Sequence, residues 1–328
     1  MEGPKPTTIA QSVVQMARRA GAEQCDVVVS MHTEANVTVR LGEIEKLIEA
    51  GSMALGLRVI NGGRTAICST SDLSPQALER FAAEAVDLAS ISERVEFAGL
   101  PEEGLLAKGA SASGLALYDE RIESLSTDEK IRMAKACEGA ALGADSRVTN
   151  SDGASFSTRV GEFALANSLG FVGSYPITTV SLMVEAIADD AEGKKRNGYW
   201  YSAETSLGRL ADPEEVGRIA ARRAVDQIGA RKVATTQAPV IFEPDMAVSL
   251  VRGLAGCAGG DALYRGSTFL ASRKGDAIGS GLGTIGDDPT LAGRVGSEPF
   301  GGGGAPSTLP RGPRWRRRPG GSGGRGRG

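Results

Sequence analysis

The chain contains a single histidine, His32, and this limits the chemistry that its residues can perform unaided. A catalytic zinc site uses three protein ligands, usually with two or more imidazoles, and the carboxylates here show no ligand spacing. A Ser-His-Asp triad would need His32 as its base, yet the sequence has no GxSxG elbow, and residues 109–113 only approximate one. The sequence therefore predicts neither site. We interpret His32, at the end of a predicted strand, as a surface or hydrogen-bonded structural residue.

The four cysteines are too scattered to form a metal or redox motif. Cys25, Cys68, Cys137 and Cys257 include no CxxC pair, and the chain start has no basic and apolar leader, so we expect reduced and mostly buried thiols. Cys257 falls at the end of a predicted helix, where a thiol can in principle be activated. Because no second imidazole is present to pair with it, a structural role is favoured.

The stretch 239–269 has the layout of an active-site segment. The apolar run 240–242 predicts a buried strand, and Asp245 could cap a helix whose apolar residues recur at helical spacing. A glycine pair then opens a predicted loop containing Tyr264 and Arg265, which are candidate site residues, although an ordinary loop role is favoured. In a hydrolase, this strand-turn-helix is where ligands or a nucleophile would stand. Here the helix carries Val, Arg, Gly and Cys, with no paired His or carboxylate.

Residues 281–286 match the GxGxxG string of dinucleotide sites. Such a site needs a strand before the string and a helix after it. Only two apolar residues precede the string, and Asp287-Asp288-Pro289 follows it. We interpret the match as a chance one in a glycine-rich loop, so the sequence predicts no cofactor bound to this chain.

Composition and charge are those of an ordinary globular protein, with 41% hydrophobic and 23% charged residues. The last 28 residues hold seven Arg and no acid, so removing them from the formal net charge of −3 leaves −10 on the first 300 residues. An acidic body argues against nucleic acid as a partner. No stretch approaches 18 apolar residues and no leader is evident, so we expect a cytoplasmic protein without a membrane partner.

After Phe300 the composition changes abruptly to a Gly- and Arg-rich segment, 301–328, which we expect to be disordered because it has almost no apolar content. Two interpretations stay open. Arg314, Trp315 and the arginines that follow could bind nucleic acid through phosphate contacts and stacking. Alternatively, translation of a GC-rich gene in a shifted reading frame gives a Gly- and Arg-rich sequence of this kind. The abrupt change in composition favours this second interpretation. Sequencing the locus distinguishes the two.

Short alternating segments joined by tight turns predict an antiparallel sheet, with the clearest turn at Asn61-Gly62-Gly63. The predicted strands are 25–32, 36–40, 44–48, 54–60, 65–68, 162–167 and 178–187, with a further turn at 150–153. Caps at Thr8, Ser74, Thr127 and Asp212 predict four helices.

The expected fold class is α+β, with an antiparallel sheet and flanking helices in the N-terminal region, a β-rich middle module and an incomplete C-terminal module. The expected boundaries are an N-terminal module 1–95, a linker 96–115, a middle module 116–232 with a helix at 213–228, a truncated module 233–300 and the tail 301–328.

The order and extent of several segments resemble the TldD/PmbA family and, within it, the PmbA (TldE) branch. The resemblance covers about residues 8–300 and rests on DVVVS, on LGEIEKLIEAGSMALGLRVINGGRTAICSTSDLS, on DPEEVGRIAARRAVDQIGARKV, on APVIFEPDMAVSLVRGLAGCAGGDALYRGSTFL and on GSEPF. Family members continue well beyond GSEPF, so the resemblance implies a chain that is truncated or frame-shifted after about residue 300.

The resemblance implies a subunit of a two-subunit cytosolic zinc metalloprotease, a heterodimer that processes peptides and small or unfolded proteins. The catalytic TldD-type subunit carries HExxxH, and the motif positions fall here on Val251, Arg252 and Gly256, none of which can bind zinc or act as a general base. The implied role is the non-catalytic partner, with zinc held by the other subunit. Two alternatives stay open: a protein or nucleic-acid interaction module of the DNA gyrase modulator type, and an independent peptidase with unusual ligands.

Overall fold

The computed structural model describes residues 4–107, 112–273, 275–276, 279 and 285–307. Contacts between Cα atoms divide these residues into two units. The first unit takes in the described residues up to 230 together with 289–307, and the second takes in those between 231 and 288. No helix among the described residues is long and apolar enough to cross a membrane.

The first unit contains one sheet and five helices. Its strands are β1 Gln24–Arg40, β2 Glu43–Asn61, β3 Arg64–Thr70, β4 Val148–Asn167, β5 Val172–Asp189 and β6 Lys195–Glu204. Its helices are α1 Pro6–Arg19, α2 Pro75–Ile91, α3 Glu120–Glu123, α4 Thr127–Gly143 and α5 Pro213–Val225, with short 3₁₀ turns at 103–105, 191–193, 207–209 and 302–304.

All six strands form one antiparallel sheet in the order β3-β2-β1-β4-β5-β6. The α+β class with flanking helices is therefore confirmed. β1 lies between β2 and β4, and its register with β4 runs from Asp26 opposite Asn167 to Val39 opposite Ala154. The predicted modules 1–95 and 116–232 thus share a single sheet; their predicted boundaries stay a prediction.

Side-chain alternation gives the sheet two different faces. On one face, β1 residues such as Val27 and Val37 pack under the helices in two aliphatic cores: α1 and α2 cover the β1–β3 end, and α4 and α5 cover the β4–β5 end. On the other face, a smaller aromatic cluster joins Phe163, Tyr175 and Phe300. The remaining half of this second face carries the polar residues described below.

Several predicted breaks are absent. β1 and β2 each run unbroken where two strands were predicted, because alternation continues across both gaps and the only shift in register lies at Thr38/Val39. The predicted turn at 150–153 is wrong: these residues belong to β4, which is irregular there between 148 and 153. The turn at Asn61-Gly62-Gly63 is confirmed, with φ of 56° and 79° at the two glycines.

In the second unit, the described residues contain helices α6 Pro244–Cys257 and α7 Gly260–Tyr264 and no strand. The buried strand predicted at 240–242 is wrong, since Ile241 is 98% exposed. A strand needs a neighbour to bond its backbone groups, and none is present among the described residues of this unit. No residue of α6 is buried.

Residues 301–307, which were expected to open a disordered tail, instead continue the fold of the first unit. Asn167 Nδ2 donates to the Gly303 carbonyl at 2.7 Å, and the Ala107 amide donates to Gly304 at 2.8 Å. Phe300 pairs with Pro306 in an isolated bridge. The remainder of that expectation, 308–328, lies outside the described residues.

Candidate functional site

The half of the second sheet face outside the aromatic cluster is built from side chains two residues apart on β1 and from those opposite them on β4. Because alternate residues of a strand share a face, these polar side chains point away from the helix-packed cores. We call this group the polar face: Ser30, His32, Glu34, Asn36, Thr38, Ser155, Ser157 and Arg159.

Hydroxyl and amide groups join the two strands at one end of the polar face. Asn36 Nδ2 donates to Ser157 Oγ at 2.6 Å, and the hydroxyls of Thr38 and Ser155 lie 3.0 Å apart. Such groups both donate and accept hydrogen bonds, so this end can meet the polar groups of a ligand or polypeptide.

The only histidine lies at the other end, in a charged cluster. His32 Nε2 lies 3.3 Å from Glu34 Oε1, and Arg159 donates to the same oxygen through Nε at 2.6 Å and through Nη2. The hydrogen bond from Arg159 holds the pKa of Glu34 below its usual value. The imidazole pairs with a carboxylate and not with a hydroxyl or thiol, so this contact orients His32 without creating a nucleophile.

His32 lies within β1 and not at a strand end as predicted, and a glycine across from it makes room for its side chain. Gly161 is the residue opposite His32 on β4. A Cβ at Gly161 would lie 2.4 Å from the Met31 carbonyl oxygen and 2.6 Å from His32 Cβ. Only glycine allows the strands to approach so closely here.

A cavity of about 310 Å³ opens beside the charged cluster. Its walls combine the cluster residues His32 and Arg159 with the aromatic rings of Phe163 and Tyr175 and with Val295. Burial raises the pKa of Tyr175 to about 12, so its phenol stays protonated at neutral pH and can donate a hydrogen bond. The cavity can thus hold a partly apolar group beside the guanidinium of Arg159, which is binding chemistry.

The helix on which the resemblance places the HExxxH positions is α6, in the second unit. Val251, Arg252 and Gly256 are exposed on it, and Cys257 is half-buried at its end. Zinc is bound by thiolate, imidazole or carboxylate. The side chains present at these positions therefore do not fit a zinc ion. Among all described residues, no group of three or more His, Cys, Asp or Glu side chains could hold a metal.

The other sequence candidates do not gather into a site. Tyr264 ends α7, where a loop was predicted, and Arg265 Nε donates to Asp261 Oδ1 at 2.8 Å within the same turn. All four cysteines are free; Cys25 and Cys137 are buried and Cys68 is half-buried. The 109–113 elbow lies outside the described residues except for 112–113, as does the GxGxxG match except for 285–286.

Sequence reasoning missed the polar face, although one signal was visible. Five polar residues at even positions from Ser30 to Thr38 indicate a solvated face on a single long strand. The pairing of Glu34 with Arg159 was not visible, because 125 positions separate these residues in the chain.

Comparison with known proteins identifies related sequences over most of the chain. Three models of the PmbA/TldA metallopeptidase match: domain 1 over residues 25–89, the central domain over 120–228 and the C-terminal domain over 235–309. Metalloprotease PmbA of Escherichia coli O157:H7 is 36% identical over 279 residues, covering 85% of this chain and 61% of that protein. A PmbA homologue of Haemophilus influenzae is 32% identical over 287 residues, covering 88% and 62%. The chain thus spans about three fifths of the length of these relatives.

Solved structures share the fold. A protein named as a modulator of DNA gyrase, from Bacteroides thetaiotaomicron, superposes with a TM-score of 0.85 at 24% identity, covering 94% of this chain and 72% of that one. TldE from Thermococcus kodakarensis superposes with a TM-score of 0.68 at 17% identity, covering 91% and 68%. At these identities the likeness shows the architecture alone.

Proposed function

Because the chain belongs to the PmbA/TldD metallopeptidase family, we propose that it is the non-catalytic, PmbA/TldE-type subunit of a two-subunit zinc metalloprotease. The substrates are peptides and small unfolded proteins, and the complex acts in the cytoplasm. The zinc ion and the general base belong to a TldD-type partner. Relatives named metalloprotease PmbA, at 36% and 32% identity, and the structural likeness to TldE support this proposal.

One observation carries the proposal: α6 holds Val251, Arg252 and Gly256, the residues that the resemblance aligns with HExxxH. A metallopeptidase needs imidazole or carboxylate ligands to hold zinc and a base to activate water. None of these three residues supplies a zinc ligand or a general base. The single histidine of the chain, His32, belongs to the first unit and not to α6.

The contribution of this chain is a surface. The hydroxyls and amides of the polar face have the spacing of a strand and can meet the backbone groups of an extended polypeptide. The cavity beside His32 and Arg159 accommodates one side chain. These groups bind and orient the substrate, while bond cleavage takes place at the partner's metal.

The test is reconstitution with a TldD-type subunit. We expect co-purification of the two chains and peptidase activity only in the mixture, with no stoichiometric zinc in this chain alone. A partner whose HExxxH glutamate is replaced by glutamine serves as control, and it should bind without restoring activity. Peptide cleavage by this chain alone, together with one bound zinc, contradicts the proposal and favours an independent peptidase.

A nucleic-acid interaction module is the alternative function. The formal charge of −10 on the first 300 residues opposes phosphate binding, and the polar face carries a carboxylate beside its arginine. Nothing in the described residues favours this function over the subunit role.

A further inference from the structure

The first part of β2, residues 43–54, forms an unpaired sheet edge that we call the open edge. β1 pairs with β2 along its whole length, but β3 pairs only with the part from Leu55 to Asn61. Among the described residues, no strand bonds the other side of the open edge. All twelve of its residues are exposed, whereas Leu55, Leu57 and Val59, which follow in the same strand, are buried.

The open edge carries large apolar side chains on both faces. Leu47 lies opposite Val37 on the helix-packed face, and Ile48 lies opposite Asn36 on the polar face. Their exposed fractions are 49% and 40%, and Met53 is 51% exposed. Apolar residues on both faces are typical of a strand whose two faces are both covered. Among the described residues, nothing buries these three side chains.

The backbone of the open edge is regular enough to pair with a further strand. From Lys46 to Ala54 its register with β1 is continuous, and the bulge lies outside this stretch, near the hairpin turn. No proline interrupts it. Long regular edges expose a row of unpaired N–H and C=O groups, and natural proteins usually interrupt them with bulges or proline unless another chain pairs there.

The charge of the open edge determines which kind of strand can pair with it. Glu43, Glu45 and Glu49 outnumber Lys46 on the open edge. Arg40 of β1 lies 3.8 Å from Glu45, and Glu49 accepts a hydrogen bond from the neutral hydroxyl of Thr127, so a net negative charge remains. A second copy would set this acidic edge against itself, which is unfavourable. A strand with Lys or Arg is complementary.

We propose that a basic strand of the catalytic partner subunit adds to the open edge and extends the six-stranded sheet of this chain. Main-chain hydrogen bonds fix the added strand, and its basic side chains face the glutamates of the edge. Leu47 and Ile48 become covered by its apolar side chains. The inference rests on the proposed function, because its occupant is the TldD-type subunit.

The experiment compares two variants of the full chain in titrations with that subunit. The double variant Leu47→Lys/Ile48→Lys places positive charge on both faces of the open edge. The control Ile67→Lys introduces one lysine in place of an apolar residue on β3, where Ile67 is 74% exposed. We expect the double variant to bind roughly tenfold or more weakly, and the control to bind like the wild type. Melting temperatures of the free variants verify that each is folded.

Hydrogen exchange gives a second readout that does not depend on substitution. We expect outward-pointing amides of the open edge to exchange rapidly in the free chain and to become protected in the complex. Unchanged binding by the double variant, with no protection, overturns the edge assignment and leaves the subunit role standing. A wild-type chain that binds no TldD-type subunit overturns both. Protection in the free chain that accompanies self-association identifies a second copy as the occupant and also overturns the inference.

Discussion

The carboxylate of Glu138 accepts the backbone N–H of Gly42 at 2.8 Å, so a helix from the middle of the chain holds the first hairpin turn. The same carboxylate accepts the Leu41 amide at 2.8 Å and the Ser151 hydroxyl at 2.6 Å. Leu41 has a φ of 50°, a conformation that costs a non-glycine residue free energy and that persists only where its surroundings impose it. The buried Glu138 supplies those surroundings.

We expect Glu138→Gln to lower the free energy of unfolding by about 1–3 kcal/mol, because an amide NH₂ cannot accept the hydrogen bonds that one carboxylate oxygen accepts. Denaturant titration measures the change. The control is Glu84→Gln on α2, where the glutamate is 68% exposed and pairs with Arg80 at 3.6 Å; its effect should stay below about 0.5 kcal/mol. Equal effects of the two substitutions contradict the assigned role.

Gly161→Ala tests the close approach of β1 and β4 at His32. The added Cβ would meet the Met31 carbonyl oxygen at 2.4 Å, so the strands must separate, at a cost of about 1–3 kcal/mol in unfolding free energy. Gly56→Ala on β2 is the matched change, since nothing lies within 4 Å of its Cβ. If both variants melt at the wild-type temperature, the strands are not in contact as described.

Thiol labelling should separate the cysteines into two classes. Burial raises the pKa of Cys25 to about 11 and that of Cys137 to about 12, so both stay protonated and unreactive at pH 8. Cys68 and Cys257 are half-buried and should react first. Mass spectrometry after brief alkylation identifies the labelled residues, and all four should react in denaturant. Rapid labelling of Cys25 or Cys137 in the native protein contradicts this prediction.

Asp119 should make stability depend on pH in the acid range. Its carboxylate accepts hydrogen bonds from Arg121, from the Ser206 hydroxyl at 2.9 Å and from the Leu207 amide at 3.0 Å, which hold its pKa well below the usual value. A lowered folded-state pKa gives stability that is present above the unfolded value of about 3.9 and is lost as pH falls below it.

We therefore expect Asp119→Asn to destabilise the chain by about 1–2 kcal/mol at pH 7, and we expect this difference from the wild type to shrink progressively as the pH falls below about 3.9. Unfolding free energies measured across this range provide the test. Asp87→Asn, at an exposed position on α2, is the control and should show no such trend. A difference in unfolding free energy between Asp119→Asn and the wild type that grows as the pH falls contradicts this prediction.

Limited proteolysis should cut the second unit first. α6 has no buried residue, and Ile241 and Val240 are 98% and 70% exposed. Segments with few buried contacts open at low free energy and reach a protease early. We expect trypsin to cleave after Arg231 or Lys232 before any site within the sheet, as read by intact mass. A resistant fragment that includes 231–288 contradicts this expectation.

Local signals in the sequence predicted much of the first unit. Pro75 and Pro213 mark helix starts, and Asp212 caps α5 through the amides of Glu214 and Glu215, as expected. Long-range contacts explain the failures. The predicted turn at 150–153 is absent because the Ser151 side chain bonds Glu138 and is held within an irregular strand. Residues 240–242 have the composition of a strand, but the described residues of their unit offer no neighbouring strand to pair with.

In the candidate site, too, local sequence signals could predict one part, and long-range contacts determine the other. The alternation from Ser30 to Thr38 could have predicted the polar face, since it depends only on neighbouring positions. The charged cluster could not be predicted, because Arg159 reaches Glu34 only after β4 pairs with β1. The assignment of Val251, Arg252 and Gly256 came from resemblance and stays a prediction.

The pairing of β1 with β4 has a consequence for synthesis of the protein on the ribosome. Paired residues lie from 141 positions apart, for Asp26 and Asn167, to 115 positions apart, for Val39 and Ala154. At ordinary elongation rates, β1 emerges roughly ten seconds before the strand that will lie beside it. During that interval β1 can pair with β2, but the backbone N–H and C=O groups that will later bond β4 remain unpaired. The growing chain should therefore bind ribosome-associated chaperones early in its synthesis.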